Sequence, residues 1–132
     1  MVNIDYIMNL LDWNNTVAEQ EKGIMLAKDV KCINAFLQPG NRFYGKNVWE
    51  NCAKVLSARP NEELSPYIID LMEWLQDMNW PGAFCILERL KEMVGDPLFG
   101  YSYNICLKYA KALEDATWEY NLHMIVNNVR AE

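Results

Sequence analysis

The sequence predicts an all-α protein built from stacked helical hairpins, and three observations carry that prediction. Apolar residues recur at helical spacing in several separate segments, no segment alternates with period two, and one turn motif repeats along the chain. Seven to eight helices are expected over residues 1–132, read as a single domain long enough to bury a core. Apolar residues make up 52% and charged residues 23%, the mix of an ordered chain rather than a disordered one.

The N-terminal stretch "IDYIMNLLDWNNTVA" (4–18) pairs an apolar helix with a turn rich in Asp and Asn. The segment "GKNVWENCAKVL" (45–56) repeats the helical pattern. In "SPYIIDLMEWLQDM" (65–78), Ile68, Leu71, Met72 and Leu75 fall at i, i+3, i+4 and i+7, while Asp70, Glu73 and Asp77 lie together on another side. Pro66 behind Ser65 suits a first helical turn. Ala83, Leu87, Leu90 and Val94 continue the spacing until Gly95, Asp96 and Pro97 stop it. Trp118, Leu122, Ile125 and Val129 form the last such stripe.

A repeat sits in the turns. Ile4–Ala18 aligns with Ile69–Ala83 at a shift of 65, with Ile, Asp, Leu, Asp, Asn and Ala identical at six of fifteen places. Asn47 lies 33 residues after Asn14 and 32 before Asn79, and a weaker copy surrounds Asp115. Spacing of this kind marks helical hairpins that cannot bury their apolar faces alone. The expectation is that Asn14, Asn47 and Asn79 stand at or next to helix starts. Asn79 would cap a helix with Pro81 in its first turn, and Gly82 and Ala83 would allow close approach to a neighbour.

The pattern Leu-x-Asp-x-Asn-x-x-x-Ala at both turns resembles the inter-repeat turn of HEAT-like α-solenoids, although HEAT and armadillo repeats run to ~40–47 residues. The resemblance implies a right-handed α-α superhelix, a short solenoid of HEAT-like antiparallel hairpins forming one domain over residues 1–132. More specifically, "WLQDMNWPGA" and "KALEDATWEYNLHMIV" resemble a bacterial domain family of unknown function, most strongly over residues 46–128. That family implies a small helical-repeat fold and no established activity; its members are similar to immunity proteins encoded beside secreted toxins.

Charge narrows the partners. The net charge is −6, and residues 67–132 carry ten acids against five bases. Such a surface repels phosphate backbones and favours basic proteins, so a protein partner and no nucleic acid is expected. The N-terminus lacks a basic leader, and no apolar run approaches the ~20 residues of a membrane span, so a cytoplasmic protein that does not enter membranes is expected, monomeric when free. Cys32, Cys52, Cys85 and Cys106 form no C-x-x-C pair and read as reduced thiols.

Chemistry is sparse. His123 is the single histidine, and neither metal-binding nor nucleophile motifs occur, so no catalytic residue, metal or cofactor is expected. The loops "QPGNRFYGKN" (38–47) and "GDPLFGYSYN" (95–104) read as connectors. Trp13, Trp49, Trp80 and Trp118 each fall near a repeat turn, and tryptophan is a leading anchor at interfaces. The candidate partner-binding residues are therefore Asp70, Glu73, Trp74, Asp77, Trp80, Asp115, Trp118 and Glu119. They fit an immunity protein that occludes a basic toxin site, with an adaptor repeat domain or a HEAT-like nucleic-acid-acting enzyme as alternatives. The enzyme would need a basic face, which twelve bases against eighteen acids do not favour.

Overall fold

The chain is described by a computed structural model that covers residues 3–41 and 43–130, with side chains through 127. Among these residues there is no β-strand, and the helices follow the apolar periodicity. Seven helices exceed one turn: α1 (Ile4–Leu10), α2 (Val17–Ala27), α3 (Trp49–Ser57), α5 (Ile68–Glu73), α6 (Ala83–Lys91), α7 (Phe99–Ala112) and α8 (Ala116–Arg130); the single turn α4 (Asn61–Leu64) sits between α3 and α5. Short 3₁₀ turns at Ile33–Phe36, Lys46–Val48, Ser65–Tyr67 and Trp74–Gln76 link them.

Local chemistry explains the starts. Asn3 caps α1 by accepting from the Tyr6 N–H at 3.1 Å, and Thr16 with Glu19 forms a reciprocal capping box on α2. Asp115 accepts from the Trp118 N–H at 2.9 Å and opens α8. Helices α2, α3, α6 and α8 pack as successive neighbours, α1 covers α2, and α5 and α7 pack together against α6 and α8 respectively. One apolar cluster runs from Ile7 to Ile125. The predicted stripe Ile68, Leu71, Met72 and Leu75 is fully buried, as are Ala83 and Leu90, with Leu87 nearly so. Val129 lies outside the described side chains.

The turns at Asp12, Asp77 and Asp96 work through aspartate rather than asparagine. Asp12 accepts from the Asn14 N–H at 2.9 Å, Asp77 from the Asn79 N–H at 2.8 Å, and Asp96 from the Leu98 N–H at 2.9 Å. Each is the Asp side chain bonding its own backbone two residues on. Asn14 stands just before the Thr16 cap, and Asn47 lies in the 3₁₀ turn that leads into α3. Asn79 does not cap α6. Gly82 occupies that position, and Pro81 precedes the helix rather than entering it.

Gly82 explains why. Its φ is +86°, and an added Cβ would lie 2.7 Å from Ala53 Cβ and 3.0 Å from the Trp49 carbonyl oxygen. Only glycine allows α6 to start this close to α3. At the end of α7, Glu114 also has a positive φ, 54°. There the Asp115 N–H reaches the Ala110 oxygen at 2.8 Å and the Glu114 N–H reaches Lys111 at 3.1 Å, the paired bonds of a Schellman ending.

Two substitutions test this backbone account. Gly82→Ala should lower stability by ~2 kcal/mol or more, because left-handed strain adds to the clash. Glu114→Gly should raise it by roughly 0.5–1 kcal/mol, because strain relief exceeds the added chain entropy. Urea midpoints at constant m-value read both, and an unchanged Gly82→Ala midpoint would remove the close-approach explanation.

Candidate functional site

The helical period of α5 buries Ile68, Leu71 and Met72 and leaves Asp70 and Glu73, three residues apart, on its flank. Facing that flank are residues of the 34–41 segment and Phe43. Asn34, Leu37, Pro39, Gly40, Asn41 and Phe43 line one wall of an open cleft of about 460 Å³, and Tyr67, Asp70 and Glu73 line the other. The wall is held by its own polar groups: the Asn41 N–H donates to the Gln38 oxygen at 2.8 Å, and the Phe43 N–H to Asn41 Oδ1 at 3.0 Å. Beyond it, Tyr44 donates its hydroxyl proton to Asp5 Oδ1 at 2.5 Å, tying the segment to α1. The Asp5 bond, helped by partial burial, pushes the Tyr44 phenol up to about 12. Phe43 is 88% exposed at the rim.

The cleft has a distinct electrostatic character. Partial desolvation raises the Asp70 carboxyl above its ordinary value, with its own backbone amide opposing. Desolvation also raises Glu73, and the neighbouring Asp70 charge adds to it. Behind them on α7, burial pushes the Cys106 thiol up to about 12, with Glu73 and Asp70 contributing, so it is a neutral thiol at pH 7 and no nucleophile. Burial also raises Tyr103, whose ring stacks on Phe99 at 5.5 Å. The ion pairs among the described residues involve Glu63, Glu88, Glu92 and Glu119, and none reaches Asp70 or Glu73. Among the described residues no three His, Cys, Asp or Glu side chains converge as a metal site. The arrangement suits a cationic hydrogen-bond donor.

The other residues expected to bind a partner separate into different roles. Asp77 leaves the helix at φ −143° and serves the turn to Asn79. Trp74 is fully buried and donates Nε1–H to the Pro81 oxygen at 2.9 Å; Trp118 is 3% exposed and donates to Met72 at 3.1 Å. Neither can anchor a partner on the folded surface, a correction that follows from core packing of both indoles. Trp80 is half-buried and packs edge-on against Trp49, whose ring also meets Trp74 edge-on, so three indoles seal the α5–α6 joint. Asp115 caps α8, and Glu119 stands 3.9 Å from Lys111. Trp13, outside the expected set, is 49% exposed.

Sequence inspection places Asn41 and Phe43 in the 38–47 connector and Tyr67 in the 65–78 helix, and joins neither that connector nor Asn34 to α5. The signal for Asn41 and Phe43 is the polar-aromatic composition of residues 38–47; their contact with α5 spans some thirty residues. A second open cleft, about 510 Å³, is lined by Asn61, Glu62, Ser65, Glu92 and Asp96. Its Asp96 carboxylate is already engaged by the Ser65 hydroxyl and the Leu98 N–H.

Comparison with protein families matches residues 49–132 to a domain of unknown function, DUF5071. The chain belongs to that family. The DUF5071 match begins at the first residue of α3, so it includes Asp70, Glu73 and the tryptophan joint, whereas α1, α2 and the 34–43 wall precede it. No curated protein and no solved structure matches the chain.

The raised carboxyls make a signed prediction. The folded state holds these protons to higher pH than the unfolded chain, so the stability they contribute is present below the ordinary values of 3.8 and 4.5 and is lost as pH rises through the raised ones. Asp70→Asn with Glu73→Gln should therefore raise the melting temperature at pH 7, with the gain shrinking as pH falls below about 4. A variant that melts at or below the parent at pH 7 would contradict the desolvation assigned to this cleft.

Proposed function

We propose that the protein is a partner-binding helical module, and that the Asp70–Glu73 cleft receives a basic side chain from a protein partner. One observation carries this: two carboxyls are partly desolvated on an open cleft, with no cation beside them among the described residues. An incoming guanidinium or ammonium would supply opposite charge and lower both carboxyl pKa values. Phe43 and Tyr67 offer apolar cover, and Asn34 and Asn41 offer amides for the rest of the partner's surface.

In its specific form, the module is an immunity protein built as a short HEAT-like solenoid, acting in the cytoplasm and occluding the basic active site of a cognate secreted toxin. The row α2–α3–α6–α8, the recurring Asp turns and the excess of acid in residues 67–132 support it. An acidic cleft is poorly suited to the nucleic-acid-acting alternative.

The test is calorimetric titration against the secreted protein encoded beside this chain's gene. Asp70→Lys with Glu73→Lys should cost ~2–5 kcal/mol of binding, the penalty typical of losing a buried charge pair. Asp77 is left intact because it holds a turn. Glu88→Lys on α6 is the control, an exposed acid paired among the described residues with Lys91. If the double reversal binds as tightly as the parent while remaining folded, the cleft is not the docking site.

A further inference from the structure

Helix α7 is apolar on two opposite sides. Its inner side buries Phe99, Cys106 and Ala110 against α5 and α8. Its outer side carries Tyr101, 68% exposed, Ile105, half-buried, and Tyr109, 57% exposed, with Lys108 among them. At ~100° per residue these four positions span an arc of about 100°, a full face rather than scattered contacts. Exposed aromatic and aliphatic side chains gathered on one face mark an interaction surface more than scattered ones do. Connector residues 95–104, read from sequence as a loop, in fact supply the start of this helix.

We propose that the outer face of α7 is an interface, and that its occupant is a second copy of this chain, the two α7 helices crossing antiparallel about Ile105. Charge selects the arrangement. Although the chain as a whole carries −6, which opposes self-association, α7 has no acidic residue and its charges are Lys108 and Lys111. A parallel pair would set Lys108 against Lys108. An antiparallel pair centred on Ile105 separates the two lysines by ~9 Å along the axis and brings each beside Tyr101 of the partner copy, where an ammonium over an aromatic face is attracted. The same face then serves both copies, as a two-fold interface requires.

Area sets the strength. Together with exposed Leu98 and Leu113 at the helix ends, the tyrosines offer on the order of 500 Å² per copy, about 1,000 Å² for a pair. That is the lower limit for a specific interface, so the dimer is weak and appears only at high concentration.

Sedimentation equilibrium between about 10 μM and 1 mM tests it. The parent's average mass should rise from that of one chain toward that of two. Tyr101→Glu and Tyr109→Glu should each hold it at one chain across the range with unchanged melts. Tyr120→Glu, equally exposed on α8, should behave as the parent. If either glutamate variant melts early, the corresponding serine variant replaces it. A parent that stays at one chain throughout, a dimer that survives both α7 variants, or one that Tyr120→Glu abolishes equally well would overturn the proposal.

Discussion

Short helices that end inside a protein leave carbonyl groups which the helix itself cannot satisfy, and here those ends are met by side chains from distant segments. Arg59 donates to Ala27 and Val30 at the end of α2, at 2.8 and 2.5 Å. Arg89 donates to Ser57 and Arg59 at the end of α3, at 3.1 and 2.9 Å. Asn51 reaches Leu11 after α1 at 2.8 Å, and Asn121 reaches Leu75 after α5 at 2.7 Å. Trp118 completes the set at Met72. Each donor lies about 30 to 46 residues from its acceptor, so the ends of α1, α2, α3 and α5 are each fixed by a later segment of the chain. A burial of this kind without a partner would cost on the order of 1–3 kcal/mol per carbonyl. The helices can be short because their ends are supplied from elsewhere.

The same constraint positions the cleft. Helix α5 is only six residues long, tightens into the 3₁₀ turn Trp74–Gln76 and then stops at Asp77. Trp118 and Asn121 hold its carbonyl end, while Trp74 crosses the following turn to bond Pro81. Trp49 packs against both Trp74 and Trp80, with the Lys46 ammonium 5.8 Å above its ring. The Glu50 carboxylate accepts from the Gly82 N–H at 3.1 Å and ties the turn to α3. This rigid joint fixes the direction of α5, and with it the side on which Asp70 and Glu73 stand.

The opposite wall is anchored in the core, where Ile33, Phe36 and Gln38 are buried. Turn bonds around Gln38 and Asn41 and the Tyr44–Asp5 contact hold it further. Raised acids in a cleft are a pattern characteristic of sites shaped for a ligand.

The all-α class and the helix-facing residues were legible in the sequence, because a 3.6-residue period is a local property: the stripes at Ile68–Leu75 and Ala83–Leu90 needed only their own neighbours. The Asp-x-Asn turns were legible for the same reason, since an aspartate bonding two residues on is decided within the tripeptide. The acidic pair Asp70–Glu73 could likewise be placed on one flank of a helix. Whether Trp74 and Trp118 faced solvent or core could not be read, because an indole near a turn suits either, and the choice fell to carbonyls at Pro81 and Met72 that only packing brings within reach. Asn79 lost the cap of α6 to Gly82 because the approach of α3 leaves no room for a Cβ there. The 34–43 wall faces α5 through contacts across some thirty residues, and such proximity is created by the order in which helices stack, which no local pattern encodes.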